Sequence, residues 1–241
     1  MREYLDSLRR GRLIPNFWMS AEWAEACRWR ERTAGRTVWV EDDEGRLLFP
    51  PVRDGQWVRE EGEVWADHVF VREGFLDDNF IYRSEDFQNL RGRRWRAFRK
   101  NLYKWLERDW DYCEASTADF REVLEAWASW MEGREFWGLE EMLRFEGEWA
   151  CLRVEGKPMG LNGWDRNHFF VNYRFALTRD RSPGLSEMLR WCFYTRTVRR
   201  GLVNDGGWLG RPGLKRFKQK LNPVGIIRVY SGKYQQQEGR L

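Results

Sequence analysis

The chain has 241 residues, of which 42 are Lys or Arg and 38 are Asp or Glu, so its net charge is +4. The 16 tryptophans and 15 phenylalanines exclude a disordered chain, because disordered segments are poor in aromatic residues. No run approaches the ~20 apolar residues that span a bilayer, and acidic residues stand where a signal peptide has its apolar run. We therefore expect a cytoplasmic protein with one large domain or two small ones.

The spacing of cysteine and histidine predicts no metal site. The four cysteines lie far apart and form no Cys-x-x-Cys pair, and the chain has only two histidines. Zinc sites need closely spaced ligands. We expect free thiols and no bound metal, with a Cys–His nucleophilic pair as an alternative that nothing in the spacing favours.

The first third of the chain predicts a β-rich lobe. Residues 1–35 show helical spacings in pieces, residues 37–40 and 46–49 form the strands of a hairpin, and 64–71 is a further strand. We assign residues 1–85 to this reduced lobe.

A strongly basic helix follows, from residue 84 or 86 to 109. Between Arg91 and Arg108 there are eight cations and one acid, a local charge of +7 in a chain whose total is +4. Cations interleaved with aromatic residues are typical of a surface that binds a polyanion. The residues that we assign to nucleic-acid or other anion binding are Arg93, Arg94, Arg96, Arg99, Lys100 and Lys104. The alternative is that the aromatic side chains belong to the core and the cations form a solvated face.

The second half of the chain predicts a mixed sheet. The predicted strands are 149–154, 158–164, 168–177, 202–205 and 225–230, and the predicted helices are 117–133, 185–200 and 212–221. Three antiparallel strands that lead into a strand–helix–strand crossover give a sheet with both parallel and antiparallel pairs. We assign residues 86–232 to this lobe and 233–241 to a flexible tail.

The loop before the helix at residue 185 is the first candidate site. A helix N-terminus presents unpaired N–H groups and the positive end of its dipole, which suit a phosphate or an oxyanion. Arginines in this loop offer guanidinium groups to phosphates, and a glycine allows a tight turn. The residues that we assign to donor binding are Arg179, Arg181, Ser182, Gly184 and Leu185. The alternative is an ordinary capped helix start.

Four short runs carry a family resemblance, at 152–160, 182–189, 203–207 and 213–223. Together they resemble the GNAT acyltransferase superfamily, and within it the Fem-type and phosphatidylglycerol-lysyltransferase-like branch. The resemblance implies an α+β fold, with a GNAT-like mixed sheet flanked by helices and a reduced β-rich N-terminal lobe. It also implies an acyltransferase whose donor is aminoacyl-tRNA or acyl-CoA. The loop before residue 185 holds one glycine, where members that use acetyl-CoA usually carry two.

Acyl transfer needs an acceptor freed of its proton and a group that stabilises the oxyanion. Asp205 ends a predicted strand and could orient or deprotonate the acceptor, with an Asx-turn as the alternative. Tyr173 lies on the long third strand and could donate a proton to the leaving group, with a packed core tyrosine as the alternative. The resemblance implies that Lys218 stabilises carbonyl or phosphate charge. These three residues are the predicted catalytic set.

We therefore expect a GNAT-fold transferase that moves an acyl or aminoacyl group to an amine or hydroxyl on a large anionic acceptor, for example a modified base in phage DNA. The expected partners are nucleic acids, as tRNA donor or DNA acceptor, ahead of an anionic lipid surface. The alternative is a non-catalytic nucleic-acid-binding protein that uses the basic helix at 91–108. A peptidoglycan-type peptidyltransferase is disfavoured, since no segment predicts a helical-hairpin arm.

Overall fold

The computed structural model describes residues 1–58, 64–65, 68–131 and 139–236. Its helices are α1 (Arg2–Arg10), α2 (Ala21–Ala26), α3 (Glu85–Asn89), α4 (Arg96–Leu106), α5 (Thr117–Met131), α6 (Leu139–Arg144), α7 (Leu185–Cys192) and α8 (Pro212–Lys220). Its strands are β1 (Arg30–Ala34), β2 (Thr37–Glu41), β3 (Val52–Arg53), β4 (Gln56–Trp57), β5 (Val64–Trp65), β6 (His68–Arg83), β7 (Trp110–Glu114), β8 (Glu148–Val154), β9 (Lys157–Arg166), β10 (Val171–Thr178), β11 (Leu202–Asn204) and β12 (Gly225–Gln236). A 3-10 turn (Arg93–Trp95) precedes α4, and a π-helical turn (Phe193–Val198) follows α7.

The larger of the two sheets has the strand order β12-β6-β11-β10-β9-β8-β7, with β5 beside β6. Strands β8, β9 and β10 pair antiparallel, whereas β10 and β11 pair parallel. Ala150 and Leu152 of β8 are buried on one face and Cys151 on the other, so this strand is apolar on both sides. The predicted mixed sheet with flanking helices is confirmed.

The two strands at the centre of this sheet separate soon after they meet. β10 and β11 pair only through Val171–Val203 and Asn172–Asn204. Beyond these pairs β11 ends, while β10 continues to Thr178. The sheet therefore opens into a wedge along the second half of β10.

A bulge in β10 changes which face of the large sheet its side chains lie on. The bulge lies between Tyr173 and Phe175, so Arg174 has no partner residue on β9. Tyr173 is buried in the core on one face and Phe175 in the core on the other. Regular alternation would place residues two apart on the same face, and the extra residue of the bulge breaks that alternation.

Helices cover both faces of the large sheet. α3, α4, α7 and α8 share one core with it, and α2, α5 and α6 share the other. The two groups differ in charge. α4 and α8 carry eight Lys or Arg side chains and no acid, whereas each of α2, α5 and α6 has more acids than cations.

The second, smaller sheet has the order β1-β2-β3-β4 and is covered by α1. Tyr4 and Leu8 of α1 pack in one core with Val38 and Val40, which alternate along β2. α2 instead packs against α6 and the core of the large sheet. The segment before α2 therefore links the two sheets.

The largest difference from the sequence prediction is β6, a 16-residue strand. We expected a strand only at 64–71, a span in which residues 66–67 lie outside the described part. The polar stretch Asp77-Asp78-Asn79 interrupts the apolar pattern from which a strand would be predicted. In the structure β6 is nevertheless paired on both edges, with β11 and β12. Because β6 belongs to the large sheet, a division into lobes would have to precede it rather than fall at residue 85.

The helix expected from 84 to 109 is two helices. α3 ends at Asn89; the next residue, Leu90, has a left-handed φ of 45°, and Gly92 has a φ of 91°. Only glycine adopts the second conformation readily, so the chain turns here before α4 begins. The basic residues at 93–95 lie in the 3-10 turn rather than in the helix.

Three smaller differences concern pairing and length. The expected strand at 46–49 is reduced to one bridge, Glu41–Leu47. β2 pairs instead with β1, which lies within residues 1–35, where we expected helical pieces. β12 continues to Gln236 along β6, so residues 233–236 of the expected flexible tail are in a strand. Residues 237–241 of that tail and Gly133, the expected end of α5, lie outside the described part.

Candidate functional site

A cleft of about 370 Å³ lies where β10 and β11 separate. Residues 173–177 of β10 line it on one side, and the loop that follows β11 lines it on the other. The remaining walls come from α5, α7, α8 and the segment that leads into α2. All three residues predicted to be catalytic, Tyr173, Asp205 and Lys218, line this cleft.

Asp205 is the centre of a buried ion-pair cluster. Its Oδ1 lies 3.1 Å from Lys218 Nζ, and its Oδ2 lies 3.2 Å from Arg190 Nη1. Tyr194, which the π-helical turn carries, donates its hydroxyl to Oδ2 at 3.4 Å, and Lys218 Nζ also donates to the Asp205 carbonyl oxygen. None of these four residues is more than 6 % exposed. Two cations share one carboxylate, so the cluster adds one net positive charge to the wall of the cleft.

Backbone contacts hold this cluster in place. The Asp205 N–H donates to a carbonyl oxygen of β6 at 2.9 Å, and the Gly206 N–H donates to Asn204 Oδ1 at 3.0 Å. The Asx-turn that we considered for Asp205 therefore belongs to Asn204, and the Asp205 carboxylate is ion-paired with the two cations. The Tyr82 hydroxyl donates to the Lys218 carbonyl oxygen at 2.7 Å, near the end of α8 where carbonyl groups lack helical partners.

Burial lowers the pKa of Lys218 from its ordinary value of 10.5. Desolvation is the largest cause, because it penalises the ammonium form. The Asp205 carboxylate opposes this shift, and the neighbouring Arg190 guanidinium adds to it. The neutral amine is therefore populated at lower pH than in an exposed lysine.

Tyr173 presents its ring, not its hydroxyl, to the cleft. The hydroxyl donates to Asn162 Oδ1, and Asn162 in turn donates to the Leu189 carbonyl oxygen at 3.0 Å, within the core. Burial raises the pKa of Tyr173 well above its ordinary value. The Arg190 guanidinium lies 5.0 Å from the centre of the ring. This arrangement fits the core-tyrosine alternative and not the role of proton donor.

Arg174, the bulged residue of β10, forms a second buried ion pair on the wall of the cleft. Its Nε lies 2.6 Å from Asp165 Oδ2, and its Nη2 donates to Ser20 Oγ at 2.9 Å. Asn172 donates to the other Asp165 oxygen at 2.7 Å. Asp165 is 2 % exposed and joins β9, β10 and the start of α2.

Aromatic residues before and within α2 close one side of the cleft. The Arg174 guanidinium lies 4.3 Å from the ring centre of Phe17 and 5.1 Å from that of Trp23. A Cβ at Gly206 would lie 2.9 Å from the Phe17 ring, and Gly206 has a φ of 62°, so only glycine fits here. The sequence reasoning missed this wall, since no local pattern links it to β10.

The loop after β11 is held by a carboxylate of β6. Asp77 accepts from the backbone N–H groups of Trp208 at 3.1 Å and Leu209 at 3.0 Å. A Cβ at Gly207 would lie 1.8 Å from Asp77 Oδ2, so the backbone approaches this carboxylate as closely as glycine permits. The Asp-Gly-Gly run at 205–207 thus has one role for each residue: ion pairing, turning under Phe17, and contact with Asp77.

The five residues predicted to bind the donor do not line the cleft. Arg179 Nη1 lies 2.5 Å from Glu122 Oε1 of α5, and Arg181 donates to the Trp130 carbonyl oxygen at 3.2 Å. A Cβ at Gly184 would lie 2.5 Å from a backbone oxygen of α4. Both guanidinium groups are therefore engaged with α5, and α4 covers the start of α7.

The other two donor-loop predictions also have local partners. The Ser182 N–H donates to Asp180 Oδ1 at 2.8 Å, and Leu185 is buried in the core. The Trp105 indole donates to the Pro183 carbonyl oxygen at 3.0 Å. These groups are therefore engaged within the loop, with α4 or in the core, and α7 begins after Gly184 without a side-chain cap. Donor binding by these residues stays a prediction.

The basic residues around α4 form a mostly solvated face. The exposed members of the predicted anion-binding set are Arg93, Arg94, Arg96, Lys100 and Lys104. Arg99 instead donates to the Gly92 carbonyl oxygen at 3.1 Å, and Trp95, Phe98 and Trp105 are buried in the core. The interleaved aromatic side chains therefore pack inward, with Tyr103, at 54 % exposure, on the outside.

Within the described residues, no group of three or more His, Cys, Asp or Glu side chains is placed to hold a metal ion. No helix in the same part of the chain combines the length and the apolar character needed to cross a membrane. The four cysteines are free thiols, as the sequence predicts.

The chain shares its fold with FemX and with the C-terminal domain of a putative lysylphosphatidylglycerol synthetase from Agrobacterium fabrum, which is the fold that the resemblance implies. A conserved protein of unknown function from Bacteroides thetaiotaomicron is similar with a TM-score of 0.70 and 17% identity, over 91% of this chain and 90% of that one. L-PGS from Bacillus licheniformis is similar with a TM-score of 0.62 and 14% identity, over 97% and 90% of the two chains. FemX is similar with a TM-score of 0.59 and 9% identity, over 95% and 96%. No family model and no curated protein sequence matches the chain.

Proposed function

We propose that the protein transfers an acyl or aminoacyl group from an activated ester to an amine or hydroxyl of an anionic acceptor. The observation that supports this most is the Asp205–Lys218–Arg190 cluster on the wall of the wedge between β10 and β11. Buried, fixed cations beside a cleft are suited to stabilise the charge that develops when an ester carbonyl is attacked. The shared fold with FemX and L-PGS is consistent with this chemistry.

In the proposed reaction the acceptor atom attacks the carbonyl carbon, and negative charge develops on the carbonyl oxygen. The acceptor–carbon bond forms, the ester C–O bond breaks, and the leaving alcohol takes the acceptor's proton. Lys218 and Arg190 stabilise the oxygen charge. Asp205 forms ion pairs with both cations and holds them at the cleft, so we give it a positioning role rather than that of a base.

We propose aminoacyl-tRNA as the donor ahead of acyl-CoA. The guanidinium groups of Arg179 and Arg181, which a CoA phosphate would need, are engaged with α5. The exposed cations around α4 suit a large polyanion. Nothing in the described residues favours a modified base in phage DNA over another anion, so we propose the acceptor only by its charge and its nucleophile.

The test uses radiolabelled aminoacyl-tRNAs or acyl-CoA with a host extract as the source of acceptors. Lys218→Met removes the cleft amine, and Lys220→Met removes an exposed amine two residues further along α8. We expect label transfer by the wild type and by K220M, and a loss of about 100-fold or more in K218M. Equal transfer by all three proteins, or none by the wild type with either donor, would overturn the proposal.

A non-catalytic nucleic-acid-binding protein is the second candidate, and the exposed cations around α4 favour it. Substituting Gln at Arg93, Arg96, Lys100 and Lys104 separates the two. If this protein only binds, the fourfold variant loses its biological activity while K218M keeps it. If it is a transferase, K218M loses activity with nucleic-acid binding intact.

A further inference from the structure

The cleft is lined by two chemically different sets of side chains. One set consists of the cations Arg174, Arg190 and Lys218 together with Asp205. The other set consists of four indole rings, two from the N-terminal segment and two from α5. These rings belong to Trp18, Trp23, Trp127 and Trp130. A ligand that fills the cleft must therefore combine a polar head with an apolar body.

The volume of the cleft sets the size of that body. An engineered apolar cavity of about 150 Å³ binds benzene. At about 370 Å³, this cleft has room for an aromatic ring together with an ester group. A glycyl or alanyl group would leave most of the indole wall without contacts, and unfilled apolar space costs binding energy.

The unpartnered polar atoms of the cleft define the head of the ligand. Among the described residues that line the cleft, the buried atoms without a hydrogen-bond partner are Trp23 Nε1, Arg174 Nη1 and Arg190 Nη1. Arg190 Nη1 is near Asp205 Oδ2 but not in hydrogen-bond geometry. The side chains of Arg174 and Arg190 are 1 % and 8 % exposed. All three atoms are N–H donors, so a ligand must supply oxygen acceptors to satisfy them.

The charges of the lining residues exclude a cationic body. Asp205 is the acid among the described lining residues, and Lys218 and Arg190 already share its carboxylate. Arg174 is paired with Asp165, so an ammonium or guanidinium group inside the cleft would meet a net charge of +1 and no free carboxylate. In a partly desolvated site such repulsion is strong.

We infer that the group the protein transfers is an uncharged apolar acyl or aminoacyl group about the size of an aromatic side chain. Its carboxyl oxygens lie among Trp23, Arg174 and Arg190, and its apolar body lies against the indole rings. Small groups and cationic groups such as lysyl are rejected. This assignment rests on the proposed function, because it specifies the substrate class of the same cleft.

Isothermal titration calorimetry with simple carboxylates tests the assignment. The probes are 3-phenylpropionate and indole-3-acetate as aromatic acids, acetate as a small acid, and 6-aminohexanoate as a cationic one. We expect the aromatic acids to bind at least about tenfold more tightly than the other two. Equal binding of all four, or tighter binding of 6-aminohexanoate, would overturn the inference.

Two cleft variants and one matched control locate the binding. Trp127→Leu removes an indole from the wall, and Trp18→Leu serves the same purpose if the buried Trp127 is needed for folding. Trp191→Leu removes a half-buried indole that packs on Trp110, outside the cleft. We expect either cleft variant to lose about tenfold in affinity for indole-3-acetate and W191L to lose none. Equal losses in all three variants would contradict the assignment.

Label transfer separates a failure of this inference from a failure of the proposed function. Transfer from phenylalanyl- or leucyl-tRNA in preference to alanyl- and lysyl-tRNA supports both. Preferred transfer from alanyl- or lysyl-tRNA overturns the inference and leaves the proposed function standing. Binding of aromatic acids without transfer from any donor overturns the proposed function and leaves the chemistry of the cleft as assigned.

Discussion

Arg174 and Asp165 form an ion pair whose side chains are 1 % and 0 % exposed, with 2.6 Å between Nε and Oδ2. The pair joins β9 to β10 at the bulge, and Ser20 Oγ, which donates to Asp165, ties it to the start of α2. A charge this deeply buried is stable only when it is paired. The pair therefore couples the N-terminal segment to the wall of the cleft.

Arg174→Met leaves the Asp165 carboxylate buried without its counter-charge. We expect a loss of about 3–5 kcal/mol in the free energy of unfolding, measured by urea denaturation. Arg166→Met is the matched control, because Arg166 pairs with Glu148 at the surface, where ion pairs contribute about 1 kcal/mol or less. Equal losses in the two variants would contradict the buried coupling. Adding Asp165→Asn to R174M should recover part of the loss, since it removes the stranded charge.

The lowered pKa of Lys218 predicts a dependence of stability on pH. Between the lowered pKa of the folded protein and 10.5, the unfolded chain binds more protons, so this lysine makes the protein more stable as pH rises. Below that window the penalty for burying the ammonium is complete. Lys218→Met removes the contribution.

Urea unfolding of the wild type and of K218M between about pH 7 and 11 measures the contribution of Lys218 to the free energy of unfolding. The difference in free energy of unfolding, wild type minus variant, should increase with pH. Burial raises the pKa of Tyr82, Tyr173 and Tyr194 in the folded state, and because both proteins contain these tyrosines, their contribution is common to the two. A difference that stays flat or decreases with pH would show that burial does not shift the amine in the stated direction.

Gly207→Ala places a methyl group against the Asp77 carboxylate that holds the loop after β11. We expect a destabilisation of about 1–3 kcal/mol and reduced transfer, because the loop carries Asp205 to the cleft. Gly213→Ala is the control: no heavy atom lies within 4 Å of its added Cβ, and alanine is the better helix former. Thermal unfolding of both variants is the measurement. Equal behaviour would mean that the loop yields to the added methyl group.

The exposed cations around α4 predict salt-dependent binding of polyanions. Substituting Gln at Arg93, Arg96, Lys100 and Lys104 should reduce the slope of log affinity for tRNA against log salt by about 3. The control variant carries four Gln substitutions at arginines within residues 1–35. The control positions, all exposed, are Arg9, Arg28, Arg30 and Arg32. A slope reduced equally by both sets would show that net charge, and not this face, governs the binding.

The elements of the second half were predictable because their signals are local. Apolar runs and turns mark β8, β9 and β10, and the glycines and prolines that bound α7 and α8 stand next to them in the sequence. Asp205 was placed by its position after a buried strand, and Lys218 by a family resemblance. Both line the same cleft in the structure.

The rest of the site depends on contacts that no sequence window contains. Arg174 donates to Ser20, 154 residues away, and the bulge that exposes Arg174 to this partner leaves no trace in the alternation of β10. Arg190 sits among the apolar residues of α7, and its burial depends on Asp205 of another element. The predicted donor loop does not line this cleft, and no sequence window shows that its arginines find partners on α5. Donor binding by this loop stays a prediction.

The bulge adds a side chain to β10 without changing the rest of the strand. Deleting Arg174 would make Tyr173 and Phe175 neighbours, and regular alternation would keep both rings, and Leu177 after them, on the faces that they occupy now. The pairing with β9 would continue unbroken, while the Asp165 carboxylate would lose its buried counter-charge. A single extra residue thus gives an otherwise uncharged strand a cation at the cleft and leaves the register of the sheet intact.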